Sequence, residues 1–179
     1  SLASALPQCP SMQHLKVDWN DIGAAGVALL ADALSQCSSL RRLDMSFNDI
    51  GDAGAASLAH VLPQWQWLED LNVFRIYLSH AGVHLLVAEC PQCPLLKKLN
   101  VSENNVGDAG ATSLADVIPQ CKSLQQLDMF STGSTMLNSC VHCRCQCPYT
   151  SHLEELIDLR FGLRTVRRWR LATRWHATL

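Results

Sequence analysis

The sequence repeats itself every 28 residues, and this period constrains the fold more than any other feature. A leucine recurs at that spacing in five positions: Leu15, Leu43, Leu71, Leu99 and Leu127. Repeats of fixed length in this range form solenoids, in which each unit buries its apolar side against its neighbours. The chain is therefore expected to build an extended surface, and the period gives no reason to expect an enclosed active site.

One unit, residues 40–64, shows how the repeat is built. Leu40, Leu43 and Met45 alternate with other residues as in a short strand with one buried face. A helical segment follows, and Pro63 cannot continue it. We predict parallel strands centred on residues 15–17, 43–45, 71–73, 99–101 and 127–129, and outer helices over roughly 24–34, 52–62, 80–90 and 108–118.

Three further columns of residues recur in register with these leucines. They hold Asn20, Asn48 and Asn104; Gly26, Gly54, Gly82 and Gly110; and Leu30, Leu58, Leu86 and Leu114. A buried asparagine at a strand end can bond to the backbone of the turn, so stacked units should form an asparagine ladder. The glycines should permit a tight start to each helix and close packing of helix on strand.

The unit resembles a leucine-rich repeat of the ribonuclease-inhibitor-like class over residues 1–133. The resemblance implies an α/β horseshoe, with a parallel sheet on the inside and helices on the outside. The third repeat departs from the pattern, because Ile76 replaces the ladder asparagine and Ser79 replaces a glycine. Since Gly82 and Leu86 remain, its helix should persist.

Four of the nine cysteines share one column of the repeat: Cys9, Cys37, Cys93 and Cys121. Trp65 occupies the remaining position of that column. We interpret the column as a small buried apolar residue, with disulfide formation as the alternative. Unpaired buried thiols favour a reducing, cytoplasmic location.

Both ends of the chain depart from a complete solenoid. Residues 1–9 align with residues 57–65, so the chain should begin inside a helix and be a fragment of a longer array. After Phe130 the period stops, and residues 134–179 form a tail rich in cysteine and arginine. The tail is either a divergent, irregular or disordered extension, or the product of a gene model that has left the true frame.

The tail also contains a candidate metal site and a basic cluster. Cys140, Cys143, Cys145 and Cys147 lie within eight residues, with His142 and His152 nearby. Thiolates and imidazoles are zinc ligands, but the crowded spacing argues against a site, and we predict no bound metal. Residues 160–179 contain six arginines and no acid, whereas residues 1–159 contain 8 basic and 16 acidic residues. The arginines would surround a helix on all sides, which disfavours a nucleic-acid or membrane-surface function.

The candidate binding surface is the open face of the predicted sheet. Residues between the core leucines should point into the concave space and differ in every repeat, whereas the helical segments 53–59 and 109–115 are nearly identical. The predicted protein-binding residues are Trp19, Arg42, Asp44, Phe47, Asp70, Phe74, Arg75 and Phe130. Alternatively, Trp19 and Phe47 only stack on each other across adjacent strands.

The pattern as a whole predicts a non-enzymatic module that binds a protein ligand on its concave face. The sequence has no nucleophile motif, phosphate loop or paired-carboxylate motif, so we expect no catalytic residue and no cofactor. No apolar run reaches the roughly 18 residues of a membrane span.

The repeats beginning Gly51-Asp-Ala-Gly54 resemble those of NACHT-type innate-immune receptors. That resemblance implies cytosolic sensing or autoinhibition, with intramolecular contacts to domains absent from this chain. The alternatives are a fragment of a Ran-type GTPase-activating protein, whose acidic tail this chain lacks, and a metal-binding tail on a repeat scaffold.

Overall fold

In the described part of the computed structural model, each of the first four 28-residue units consists of a three-residue strand, a turn and an outer helix. The structure describes residues 2–129 and residue 132. The strands are β1 (His14–Lys16), β2 (Arg42–Asp44), β3 (Asp70–Asn72), β4 (Lys98–Asn100) and β5 (Gln126–Asp128). The α-helices are α1 (Leu2–Ala5), α2 (Ala24–Leu34), α3 (Gly51–Val61), α4 (His80–Glu89) and α5 (Gly107–Val117). A short 3-10 turn follows α1, α3, α4 and α5, and its proline ends the helix as the sequence predicts.

The five strands form one parallel sheet in the order β1-β2-β3-β4-β5. Leu15 pairs with Leu43 and Leu43 pairs with Leu71, so the register of the sheet equals the sequence period. The predicted α/β solenoid with an inner parallel sheet and outer helices is confirmed. Each strand is centred one residue earlier than predicted. The pairing continues past the strand, since the N–H of Val17 donates to the carbonyl of Asp44.

The core lies between the sheet and the helices and runs continuously through the stack. Leu43, Leu71 and Leu99 are each 1% exposed, and they pack with the helix leucines of the same repeats. No helix within residues 2–129 is long and apolar enough to cross a lipid bilayer.

The recurring glycines lie inside the first turn of each helix, where neighbouring helices approach closely. A Cβ on Gly110 would lie 2.6 Å from the Val106 side chain and 3.4 Å from the Cα atom of His80 in α4. The expectation that these glycines pack helix on strand is therefore corrected: they allow contact of helix with helix.

Three members of the cysteine column, at positions 37, 65 and 93, donate hydrogen bonds to the preceding repeat. The thiol of Cys37 donates to the carbonyl of Leu6, and the thiol of Cys93 donates to the carbonyl of Leu62. At the intervening position the indole N–H of Trp65 donates to the carbonyl of Leu34. Tryptophan can replace cysteine here because both supply a buried donor at the end of a helix.

The asparagine ladder is confirmed at Asn48, whose side chain is 2% exposed. Its Nδ2 atom donates to the carbonyls of Val17 and Met45 at 2.8 and 2.9 Å. Its Oδ1 atom accepts the N–H groups of Asn20 and Ile22 at 3.2 and 2.9 Å. One amide therefore satisfies the turn of the first repeat from a position in the second.

The ladder uses two kinds of rung in alternation. Asn104 bonds to the turn of the third repeat as Asn48 does to the first. Between them stands the buried Ile76, whose backbone carbonyl accepts the N–H of Gly51 at 2.9 Å. Thr132 accepts the N–H of Gly107 in the same way. Gly51 and Gly107 both have φ of +59°. The turns of repeats two and four therefore use a glycine, whereas the turns of repeats one and three are bonded by the asparagine of the following repeat.

We expect Asn48→Ala to destabilise the fold by about 1–3 kcal/mol, because it leaves buried turn groups without partners. Asn20→Ala is the matched control, since Asn20 is exposed and its Nδ2 atom bonds only to the carbonyl of Asp18. Urea unfolding followed by circular dichroism measures both. Equal losses from the two variants would show that burial of the rung carries no special stability.

Gly51→Ala should cost about 1–2 kcal/mol for backbone strain alone. A Cβ at Gly51 would meet no atom within 4 Å, so sterics at the side chain do not contribute. Gly51→Asn should lose less, because asparagine tolerates positive φ. Thermal unfolding of the two variants compares them, and an alanine variant as stable as wild type would contradict the requirement for positive φ.

Candidate functional site

The concave side of the sheet carries a shallow polar groove of about 460 Å³. Each three-residue strand points its central leucine toward the core and its two flanking residues into this groove. Besides two of the core leucines, the groove is lined by His14, Lys16, Arg42, Asp44, Asp70, Asn72, Lys98, Asn100, Gln126 and Asp128. Nearly every lining side chain is polar, which differs from the apolar lining of typical small-molecule sites.

Asp70 lies half-buried on the central strand of the groove. Burial raises the pKa of its carboxyl group, and the positive charges of Lys98 and Arg42 on the adjacent strands partly offset that rise. Among the described residues, no side chain bonds or pairs with Asp70 within 4.0 Å. The neighbouring carboxylate of Asp44, by contrast, accepts from Ser46 and Asn72.

Three aromatic rings form a continuous strip where the strands end. The rings of Trp19 and Phe47 stack with centroids 3.9 Å apart, and the Phe47 and Phe74 centroids lie 4.9 Å apart at a tilt. The guanidinium of Arg75 lies over the Phe47 ring at 5.8 Å. We call Trp19, Phe47 and Phe74 the aromatic strip. Trp19 stacks on Phe47 as the alternative interpretation held, yet it remains 69% exposed.

The backbone conformation of the turn sets the position of Trp19 and Phe47, two of the three rings of the aromatic strip. Trp19, Phe47, Arg75 and Glu103 occupy one column of the repeat, and all have φ between +48° and +58°. This left-handed conformation recurs with four different side chains, so it belongs to the turn itself. The side chain at this column is therefore free to vary without changing the fold.

The structure divides the predicted binding residues into two adjacent groups. Arg42, Asp44 and Asp70 line the groove, whereas the aromatic strip and Arg75 follow the strands in the turns at their carboxyl ends. The interpretation of all of them as side chains between core leucines on one strand face is corrected, because each strand is only three residues long. Phe130 lies outside the described residues.

Two exposed aromatic residues were not among the predicted binding residues. Tyr77 is 63% exposed in a turn at the carboxyl ends of the strands and Trp67 is 52% exposed before β3. The guanidinium of Arg41 lies 5.6 Å from the centre of the Trp67 ring and also pairs with Glu69 at 2.7 Å. The column of Tyr77 otherwise holds polar residues, such as Asp21 and Asp49, and that contrast is the signal in the sequence. The column of Trp67 gives a weaker signal, because it also contains Leu95.

The buried thiols of the repeats are poor nucleophiles. Burial raises the pKa of the Cys93 thiol to about 12 and that of the Cys121 thiol to about 11. Within residues 2–129, no three histidine, cysteine or acidic side chains come together as metal ligands. The cysteines and histidines of the tail, and with them the predicted absence of metal there, lie outside the described residues.

Comparison with known proteins identifies the repeats. A family model described as a leucine-rich repeat matches residues 8–31, 36–59 and 92–115. A solved structure named as actin-binding site 2 of leiomodin-1 is similar with a TM-score of 0.67 and 14% identity, covering 89% of this chain and 85% of that one. No curated protein matches the sequence.

The buried thiols should resist alkylation in the folded protein. At pH 8 the thiols of Cys93 and Cys121 are almost fully protonated, since their pKa values are about 12 and 11, and they are buried as well. Cys9 is exposed and serves as the internal control. Peptide mapping after iodoacetamide treatment should show label on Cys9 long before Cys93, and labelling at equal rates would contradict the packing of this column.

Proposed function

We propose that this α/β solenoid, whose repeats match a leucine-rich-repeat family model, is a non-enzymatic protein-recognition module. The observation that carries this proposal is the aromatic strip, which lies beside a polar groove on a repeated, well-packed scaffold. A recognition surface needs variable side chains on a constant support. In this solenoid the concave side varies between repeats and the helical side is nearly constant.

The geometry of the surface supports tight recognition. Neighbouring strands lie about 4.8 Å apart, so side chains from successive repeats form closely spaced rows. The buried Asn48 amide and the bonded turns hold the aromatic strip in place before any partner arrives. A preorganised surface loses less conformational entropy on binding, which favours affinity.

The chemistry of the surface is that of protein interfaces. Tryptophan and arginine are enriched among the residues that dominate binding energy, and they act best when a surrounding polar rim excludes water. The aromatic strip with Arg75 provides such a centre, and the groove residues Arg42, Asp44 and Asp70 provide the rim. The leiomodin segment, whose name states that it binds actin, shows a protein as the partner of a similar fold.

The finer proposal is that this chain is the sensing or autoinhibitory repeat segment of a cytosolic innate-immune receptor. Its support is the resemblance of the Gly51-Asp-Ala-Gly54 and Gly107-Asp-Ala-Gly110 segments to NACHT-type receptors. The free, buried thiols of Cys37, Cys93 and Cys121 agree with a reducing compartment. In such a receptor the concave surface would contact either the ligand or another domain of the same protein.

Phe47→Ala and Phe74→Ala should each weaken partner binding by about 2 kcal/mol if these rings are binding hot spots. Stability should change little, because both side chains lie outside the main core. A protein captured from cell extract by the wild-type chain is identified, purified and titrated against each variant.

His60→Ala is the control, because His60 is exposed on α3, on the opposite face of the solenoid. Full affinity in both aromatic variants, combined with loss of affinity in the His60 variant, would move the binding surface to the outer face. Melting temperatures of all three variants exclude unfolding as the cause.

A further inference from the structure

Charge is divided between the two edges of the concave sheet. Near the amino ends of the strands lie four cations and two acids: Arg41, Arg42, Lys97, Lys98, Glu69 and Asp70. In the turns at the carboxyl ends lie four acids and one cation: Asp18, Asp21, Asp49, Glu103 and Arg75. We call the second group, together with the aromatic strip and Tyr77, the carboxyl edge.

Three of the four acids of the carboxyl edge are available to a partner, whereas Asp18 pairs with Lys16 at 3.6 Å. Asp21 and Asp49 are exposed and Glu103 is half-exposed. None of these three carboxylates forms a hydrogen bond or ion pair with another described side chain. The amino edge differs, because Glu69 there pairs with both Arg41 and Lys97 at 2.7 and 2.9 Å.

The aromatic strip already holds one cation. Arg75 is the cation of the carboxyl edge, and its guanidinium lies 5.8 Å from the centre of the Phe47 ring. This contact shows that the strip and its acidic surroundings accommodate a guanidinium by cation–π attraction. Trp19, the best ring type for this interaction, is 69% exposed beside Asp18 and Asp21.

We propose that the carboxyl edge binds a basic segment of a protein partner, in which arginine or lysine side chains flank an apolar anchor. The anchor packs on Trp19 and the rest of the aromatic strip. The flanking cations pair with Asp21, Asp49 and Glu103. This inference rests on the proposed recognition function and names the chemistry of the partner.

Long-range electrostatics favours the same partner. Residues 2–129 carry 7 lysines and arginines against 13 aspartates and glutamates. An acidic body attracts a basic segment and raises its association rate, and salt screens this attraction. The acids of the carboxyl edge repel nucleic acid and acidic membranes, so a protein segment is the ligand class that fits this surface.

The test uses the full chain and two synthetic 12-residue peptides that differ only in charge. Both carry a central tryptophan, flanked by arginines in one peptide and by glutamates in the other. Fluorescence anisotropy should show at least tenfold tighter binding of the arginine peptide, and this binding should weaken in 0.5 M NaCl. Equal binding of the two peptides, or binding of neither, would overturn the proposal.

Matched charge variants locate the site. Asp21→Asn and Asp49→Asn should each weaken binding of the arginine peptide by about two- to fivefold. Asp32→Asn and Asp116→Asn remove the same charge from exposed positions of α2 and α5, and should have no effect. If the helix variants weakened binding as much as the turn variants, binding would depend only on net charge, and the assignment of the site would be wrong. If the arginine peptide fails while Phe47→Ala still abolishes partner capture, the recognition function stands and only the basic chemistry is wrong.

Discussion

The structure depends on buried asparagine side chains that form hydrogen bonds with the backbone of the preceding repeat. Asn48 satisfies two N–H groups and one carbonyl in a turn that lies 26 to 31 residues earlier in the chain. A turn of this kind has no regular secondary structure to bond its own backbone, and an unpaired buried polar group is costly. The repeats are therefore joined by their turns as well as by the leucines beneath the sheet.

This constraint explains why the candidate binding surface lies at the carboxyl edge. The rungs order the turns, and the ordered turns place Trp19 and Phe47 close enough to stack at 3.9 Å. The left-handed backbone at these positions recurs at Arg75 and Glu103, so it is a property of the repeat. At the carboxyl edge of the sheet, the turn backbone is therefore held in place while its side chains can vary between repeats.

In this solenoid the helical layer provides packing and the sheet layer provides the exposed polar surface. The helices and the central leucines supply packing, and buried thiols such as Cys93 add weak hydrogen bonds between repeats with no accessible chemistry. The sheet exposes polar residues from every strand, with cations concentrated at one edge and acids with aromatic rings at the other. An extended partner lying across the strands would meet all of these groups in sequence, as recognition by a repeat protein requires.

Much of this architecture follows from the sequence alone. The 28-residue period predicts the parallel sheet, its register, the helix positions within one residue and the burial of Asn48, because each depends on spacing that duplication preserves. The sequence shows Ile76 only as a departure from the asparagine column, although its carbonyl accepts the N–H of Gly51 in the glycine turn. The backbone conformation of a turn depends on whether the next repeat supplies an asparagine side chain or a backbone carbonyl as the hydrogen-bonding group. A single column of residues in the sequence does not show which of the two is used.

The position of the aromatic residues also required the tertiary structure. Alternation along a strand places Phe47 on the concave face in principle, but the strand ends at Asp44 and the left-handed turn redirects the ring toward Trp19 and Phe74. Trp19 and Phe47 are 28 residues apart, and the segregation of charge between the two edges joins residues from four repeats. The sequence by itself determined the repeating scaffold, because that scaffold rests on local periodicity. Only the stacking of one repeat on the next decided which side chains meet at the surface.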